Sequence, residues 1–266
     1  MKLKNNCTEF RYGKIMYIAG DLYIGNSLAL YGEYSEGEVE CYRQMLKPGN
    51  TVVEVGANIG SLTIPLAQIV GETGKVYTFE PQRLVFQLHA GNIALNNLHN
   101  VYCYNKGVGE KNEQIRIFDE LLDQGGNSGS FQLKSVKEGT LTDIVTLDSL
   151  DIPACHLLKI DVEKMEMEVL RGGEQFITRH RPIIYMERDF DLLEEEVNWL
   201  KAHDYACYEH NVALFNPNNY FGVTKNIFLE MGKSFDGIER MGNATSFNMI
   251  AIPKERNIEL KGFKEF

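Results

Sequence analysis

The sequence predicts an α/β fold: a Rossmann-like, doubly wound and mostly parallel sheet with helices on both faces. Three observations carry that expectation. From about residue 51 onward, apolar runs of strand length alternate with segments whose apolar residues recur at helical spacing. The stretch "VVEVGANIGSLTIPLA" joins a strand to a helix through a glycine turn, the layout of a nucleotide site. Acids then recur just after the strand-like runs, where ligands bind in such sheets.

The elements follow in order. "KIMYIAGDLYIGNSL" alternates about Gly20-Asp21 and predicts a hairpin. "SEGEVECYRQML" sets Val39, Tyr42, Met45 and Leu46 on one helical face, and Pro48-Gly49 ends it. Residues 1–50 thus form a lead-in packed on the domain of residues 51–266. There, Thr51 to Val55 is a strand and Ser61 to Val70 a helix, with Pro65 predicting a kink or a shifted start. "KVYTFE" is the second strand, "RLVFQLHAGNIALNN" its helix, and "VYCYNKGVG" the third strand. "EQIRIFD" and "TDIVTLDSL" read as inserted strands flanking a polar loop, "DQGGNSGSFQ", which fits either a lid or an unstructured connection. "HLLKID" is the fourth strand, and "EMEVLRGGEQFITRH" is a helix interrupted at Gly172-Gly173. "PIIYMER" and "LLEEEVNWLKAH" make a further strand and helix. The tail segments "YACYEH", "NIFLEM" and "SFNMIAIP" read as extended.

Composition narrows the class. The chain has 266 residues, 44% hydrophobic and 24% charged, ordinary for one large domain or a domain with additions. Net charge is −10, which argues against the basic face of a duplex nucleic-acid binder. Five scattered cysteines without a C-x-x-C argue against structural zinc or a disulfide framework. The N-terminus lacks the apolar core of a signal peptide, and no apolar run is long enough to span a bilayer. A cytoplasmic protein is the expectation.

Gly56-x-Asn58-x-Gly60 departs from the G-x-G-x-x-G that fits a pyrophosphate. Glu80 ends the next strand, where an acid accepts hydrogen bonds from a ribose. NAD would satisfy Glu80 but prefers the full glycine fingerprint. An adenosine carrying a cationic amino-acid tail satisfies both features, and S-adenosylmethionine (SAM) is such a ligand. The glycine pair also fits a plain tight turn, and Glu54 a solvated or capping acid.

Longer stretches carry a resemblance. "VVEVGANIGSLTIPLAQIVGETGKVYTFEPQ" resembles the SAM-binding half of FkbM-type methyltransferases, with their acid-V-G-A-N-x-G turn and F-E-P strand end. "LLKIDVEKMEMEVLRGG" is similar to their second hallmark, although Lys164 stands where a glycine is usual. "VTLDSL", the lead-in "YGEYSEGEVECYRQMLKPG" and the tail "HNVALFNPNNYFG" with "SFNMIAIP" extend the likeness from about Gly32 to Pro253. The resemblance implies a methyltransferase domain over 51–266 whose last strand, "SFNMIAIP", enters antiparallel, and it implies SAM as methyl donor. Residue by residue, it sets Glu54, Gly56, Asn58 and Gly60 along the methionine side and Glu80 on the ribose. Gly107 and Val108 lie by the adenine, and Tyr34 and Glu38 close over the methionine tail. It also supplies the reaction, O-methylation of a hydroxyl on a small molecule or glycan.

Transfer to an alcohol needs alignment, exclusion of water and a base for the hydroxyl proton. Asp161, Glu163 and Glu187 follow strands four and five, and His210 stands in the family-like tail. Asp161 paired with His210 would orient and deprotonate the acceptor. Each has a plainer role: helix cap for Asp161, dipole partner for Glu163, solvated rim for Glu187 and surface or core imidazole for His210. The three acids also suit a hard divalent cation such as Mg²⁺. An NAD-dependent oxidoreductase and a catalytically silent SAM-binding protein are the alternatives, with an RNA methyltransferase a further one that the charge disfavours.

Overall fold

The computed structural model describes residues 4–118, 135–188, 190–231, 244–258 and 260–266. The loop "DQGGNSGSFQ" lies outside the described residues.

Five strands of the central sheet run parallel: β3 (Thr51–Val55), β4 (Lys75–Phe79), β5 (Val101–Tyr104), β9 (Leu157–Ile160) and β10 (Ile183–Glu187). Two tail strands, β11 (Tyr205–Ala213) and β12 (Thr245–Pro253), complete the order β11-β12-β10-β9-β3-β4-β5. β12 is antiparallel to both β10 and β11, as expected for "SFNMIAIP". The order reverses between β3 and β9, and that switch point opens a crevice at the carboxyl ends of the strands.

Helices cover both faces, so β3 reads as an unbroken apolar run with all five residues buried. Alternation sends Val52, Val76, Leu157 and Tyr185 to one core and Val53, Phe79, Leu158 and Met186 to the other. The first core is closed by α2 (Glu36–Met45), α3 (Thr63–Val70) and α4 (Arg83–Leu95), the second by α5 (Glu166–Arg171), α6 (Glu174–His180) and α7 (Leu193–Ala202). The start of α3 at Thr63 leaves Pro65 in the first turn, where its missing N–H costs no bond. Strands β6 (Gly107–Val108), β7 (Glu113–Ile117) and β8 (Thr140–Val145) form a small second sheet in the order β6-β8-β7. Among the described residues, no helix is long and apolar enough to cross a membrane.

Two sequence expectations need correction. The hairpin lies earlier than Gly20-Asp21: β1 (Asn5–Phe10) pairs with β2 (Gly13–Ile18) about Arg11-Tyr12. The expected second arm is instead α1 (Ile24–Tyr31), because Ile24, Leu28 and Tyr31 bury one helical face and the Asp21 carboxylate accepts the N–H groups of Tyr23 and Gly25 at its start. Over so short a stretch the same apolar residues satisfy both periods. Likewise "NIFLEM" contains a short helix, α8 (Phe228–Met231), whose Phe228 is buried against Tyr23 and Tyr31.

Candidate active site

A cavity of about 340 Å³ opens at the switch point. Its floor is the turn after β3. Gly56 has φ +84°, and a Cβ there would lie 1.7 Å from the Asp161 carbonyl oxygen, so the turn and β9 approach as closely as backbone allows. Asn58 also takes a left-handed φ of 48° and donates its N–H to Glu80 Oε2 at 3.0 Å. Gly60, at φ +87°, makes room for the buried ring of His89, which is held by Thr78. Glu80 Oε1 accepts the Gln82 N–H at 2.9 Å. The carboxylate therefore braces the turn from beneath while still lining the cavity. Burial, opposed by these backbone bonds, raises its pKa to about 7.

Beside the turn lies a buried charge cluster. Glu54 is 1% exposed and accepts the Thr63 hydroxyl at 2.5 Å. The sheet register pairs it with Lys159 on β9, whose ammonium is 3.8 Å from Glu54 Oε1 and 3.0 Å from Asp161 Oδ2. Burial works to discharge Lys159, but Asp161, Glu54 and Glu38 outweigh it and raise its pKa, so the ammonium stays charged. Burial likewise pushes Glu54 up to about 7, against the pull of Lys159.

Asp161, Glu163 and Glu187 line the same cavity. Burial raises Glu187 well above the carboxylate range, and the neighbouring Asp161 and Glu163 charges push the same way. Glu163 and Lys164 both have positive φ, 50° and 71°. The lysine thus occupies a left-handed position that favours glycine, which accounts physically for the glycine usual there. Tyr34 and Glu38 line the same cavity. Glu38 is buried and accepts hydroxyls from Ser35 at 2.7 Å and Tyr42 at 2.9 Å.

Two groups of expected residues lie elsewhere. Gly107 and Val108 line a small adjoining pocket with Val55, Gly56 and Phe79. The structure does not bring His210 to Asp161. His210 lies within the outermost strand and bonds the Tyr185 hydroxyl through Nδ1 at 2.9 Å, while later tail residues, Leu214, Ala244, Thr245 and Ser246, line the cavity. The three acids do not gather as metal ligands either: among the described residues, no group of three or more His, Cys, Asp or Glu side chains has an arrangement that holds a metal ion. Lys159, Thr63 and Ser246 were missed from the sequence. Lys159 did leave a signal, as a lone charge inside the apolar run "HLLKID" two residues before Asp161, hence on the same face.

The donor set fits SAM. The turn carries no side chain at Gly56 or Gly60, Glu80 lines the cavity with a carboxylate able to accept from hydroxyl donors, and Glu54 Oε1 is a buried oxygen without a hydrogen-bond donor. The family comparison agrees. Residues 54–207 match the family model described as Methyltransferase FkbM domain. The 23S rRNA (uracil(1939)-C(5))-methyltransferase RlmD of Acinetobacter baylyi is 31% identical over 100 residues, 36% of this chain and 22% of that protein. Methyltransferase 1 of Beauveria bassiana is 26% identical over 157 residues, 50% of this chain and 62% of that protein. The chain therefore spans less than two thirds of either curated relative. The crystal structure of the methyltransferase FkbM from Methylobacillus flagellatus superposes with a TM-score of 0.47 at 17% identity, over 81% of this chain and 50% of that one.

Proposed function

The chain belongs to the FkbM methyltransferase family, and from that premise we propose that it uses SAM to methylate a hydroxyl of a small molecule or glycan. In this reading Glu80 accepts the ribose hydroxyls, and Glu54 with the turn from Gly56 through Asn58 to Gly60 receives the methionine side. Tyr34 and Glu38 close over the methionine tail, and Gly107 and Val108 lie by the adenine. Residues 51–266 form the methyltransferase domain, residues 1–50 its packed lead-in, and the protein works in the cytoplasm.

SAM, when bound, supplies an electrophilic methyl group on a sulfonium sulfur. The protein's part is to align the acceptor, exclude water and take the acceptor's proton. One observation supports the choice of a hydroxyl: three strand-end carboxyl side chains, Asp161, Glu163 and Glu187, line the cavity together. Asp161 is 41% exposed and anchored by Lys159, so it can meet an incoming hydroxyl without being free to turn away. It accepts the hydroxyl's hydrogen bond and then its proton, and Glu187 shares the load.

RNA is the second reading, because one relative is an rRNA methyltransferase by name. Against it, the cavity presents six carboxyl side chains to one ammonium, on a chain of net charge −10, a poor match to a polyphosphate. The test is to incubate the protein with methyl-labelled SAM and an extract of its source cells, then trace the label. An O-methyl group in the small-molecule or glycan fraction is expected. Label confined to RNA, or carried on nitrogen or carbon, would overturn the reading. A thermal-shift panel with SAM, S-adenosylhomocysteine, NAD and NADP separates the cofactors, with stabilisation expected from the first two.

A further inference from the structure

Part of the cavity wall comes from segments outside the parallel strands. Tyr23 and Ile24 enter from the start of α1, Leu214 follows β11, and Ala244, Thr245 and Ser246 open β12. We propose that these residues form the wall that selects the methyl acceptor, a sugar or other polyol ring, and that Glu33 and Tyr31 are the positioning residues that hold it. The inference rests on the methyl-transfer reading, since it takes the acceptor to enter this cavity.

Strand order sets the tail part of this wall on the acceptor side. Four steps of the sheet separate β12 from β4, whose end carries Glu80. Neighbouring strands stand about 4.8 Å apart, so that separation is roughly 19 Å, too far to share the adenosine. The register instead pairs Asn248 of β12 with Glu187, so the start of β12 and the strand-end acids stand side by side. Ser246 marks the boundary with the cofactor side, its hydroxyl 3.2 Å from Glu38 Oε1. Tyr23, Ile24, Leu214 and Ala244 offer apolar surface, while Asp161, Glu163 and Glu187 offer acceptors in the same cavity. A sugar ring matches that division, with C–H groups on its faces and hydroxyl donors round its rim.

Two buried side chains of the lead-in hold the wall from behind. Gly32 ends α1 at φ +64°, and without a Cβ it leaves room for the Tyr220 and Phe221 rings, which come within 2.8 and 2.9 Å of where that atom would be. Glu33, 3% exposed, accepts the Tyr220 N–H at 2.9 Å and the Asn216 amide at 2.8 Å, and Arg11 Nε meets its charge at 2.8 Å. Arg11 also donates to Asn218 O at 2.8 Å. Tyr31, 1% exposed, donates its hydroxyl to Lys225 O at 3.0 Å and accepts the Ile227 N–H at 2.9 Å. Its ring meets Phe215 at 5.3 Å and Phe228 at 6.0 Å. Both holds reach the wall. Asn216 stands two residues from Leu214, whose N–H bonds Ala244 O at 2.9 Å, and Phe228 stacks on Tyr23 at 6.3 Å. Neither Glu33 nor Tyr31 lines the cavity, so each acts through the wall and not on a ligand.

Three variants test it in the label-transfer assay, with the rate followed against dilution of the source-cell extract and the labelled products separated by mass. Tyr31→Phe removes two hydrogen bonds and keeps the ring, Glu33→Gln removes the charge, and Leu214→Ala shortens the wall itself. All three should keep the wild-type affinity for S-adenosylhomocysteine. The extract needed for half-maximal rate should rise about tenfold, the scale of a small misfit in a substrate pocket. Leu214→Ala should also label products that the wild type does not, which a loss of folded protein cannot do. Acid hydrolysis of the wild-type product should yield an O-methyl sugar or polyol, and label on an aromatic hydroxyl would overturn the ring. A fall in S-adenosylhomocysteine affinity in step with the rate would overturn the assignment by placing the wall on the cofactor. Wild-type dilution curves and product pattern in all three variants would overturn the wall and leave the function standing. Label on RNA, or on nitrogen or carbon, would overturn the function and the sugar ring with it, and the dilution curves for that acceptor then decide the wall by themselves.

Discussion

Adding one methyl group at Gly56 probes the floor of the cavity more sharply than any charge change. In Gly56→Ala the new Cβ would sit 1.7 Å from the Asp161 carbonyl oxygen and 2.8 Å from its carbonyl carbon, and both are backbone atoms. Neither can swing aside. The Asp161 N–H is bonded to Val55 O at 2.9 Å, while the Gly56 and Ala57 N–H groups are bonded to Phe79 O at 3.0 and 3.1 Å. Relief therefore requires the end of β9 to part from the end of β3. A left-handed non-glycine residue costs about 1–2 kcal/mol. The lost Asp161 bond adds about 1 kcal/mol, and the overpacking about 1–3 kcal/mol more. The expected total is roughly 3–6 kcal/mol, read as a lower urea midpoint. Gly222→Ala is the control, since Gly222 has φ +68° with nothing within 4 Å of the added Cβ, and it should show the strain alone. Titration with S-adenosylhomocysteine should find Gly56→Ala unable to bind and Gly222→Ala normal. Equal midpoints for the two variants, or retained binding in Gly56→Ala, would refute the close approach of the turn to β9.

Three further outcomes are expected. Glu80→Ala removes the acceptor for the Asn58 and Gln82 N–H groups as well as the proposed ribose partner, so affinity for S-adenosylhomocysteine should fall by about 1–3 kcal/mol in calorimetry; unchanged affinity in a folded variant would remove Glu80 from the site. Because burial raises Glu80 to about 7 in the free protein and hydroxyl donors favour its charged form, binding should lower that pKa and release part of a proton at neutral pH. Affinity should then weaken as pH falls below about 7, and the release should fade above about pH 8; calorimetry in buffers of different ionisation heat measures both, and proton uptake would show the sign to be wrong. Lys164→Gly frees a residue held at φ 71°, at the expense of an exposed ion pair with Asp191 and some unfolded-state entropy. Its net effect on the urea midpoint should be stabilising by up to about 1 kcal/mol, and a destabilised variant would mean that the lysine side chain carries structure there.

The sequence alone determined the parts whose causes are local. Strand β3, the glycine turn and α3 follow from apolar runs, from glycines and an asparagine that tolerate positive φ, and from a proline near a helix start, all within a few residues. The strand-end acids were legible for the same reason, since a doubly wound sheet puts its ligands at strand ends. Where local rules gave two answers the sequence could not choose, and Ile24 to Leu28 was read as part of a hairpin although it packs as a helix, with a period near four. Only the tertiary structure decided which strand-end groups share a cavity. Glu54 and Lys159 stand far apart in the chain and meet through the register of β3 against β9. His210 looked like a partner for Asp161 and instead faces Tyr185, because β12 enters between β10 and β11 and carries that strand to the edge of the sheet. Register and strand order are set by the burial of two whole sheet faces at once, and no window of neighbouring residues contains that information.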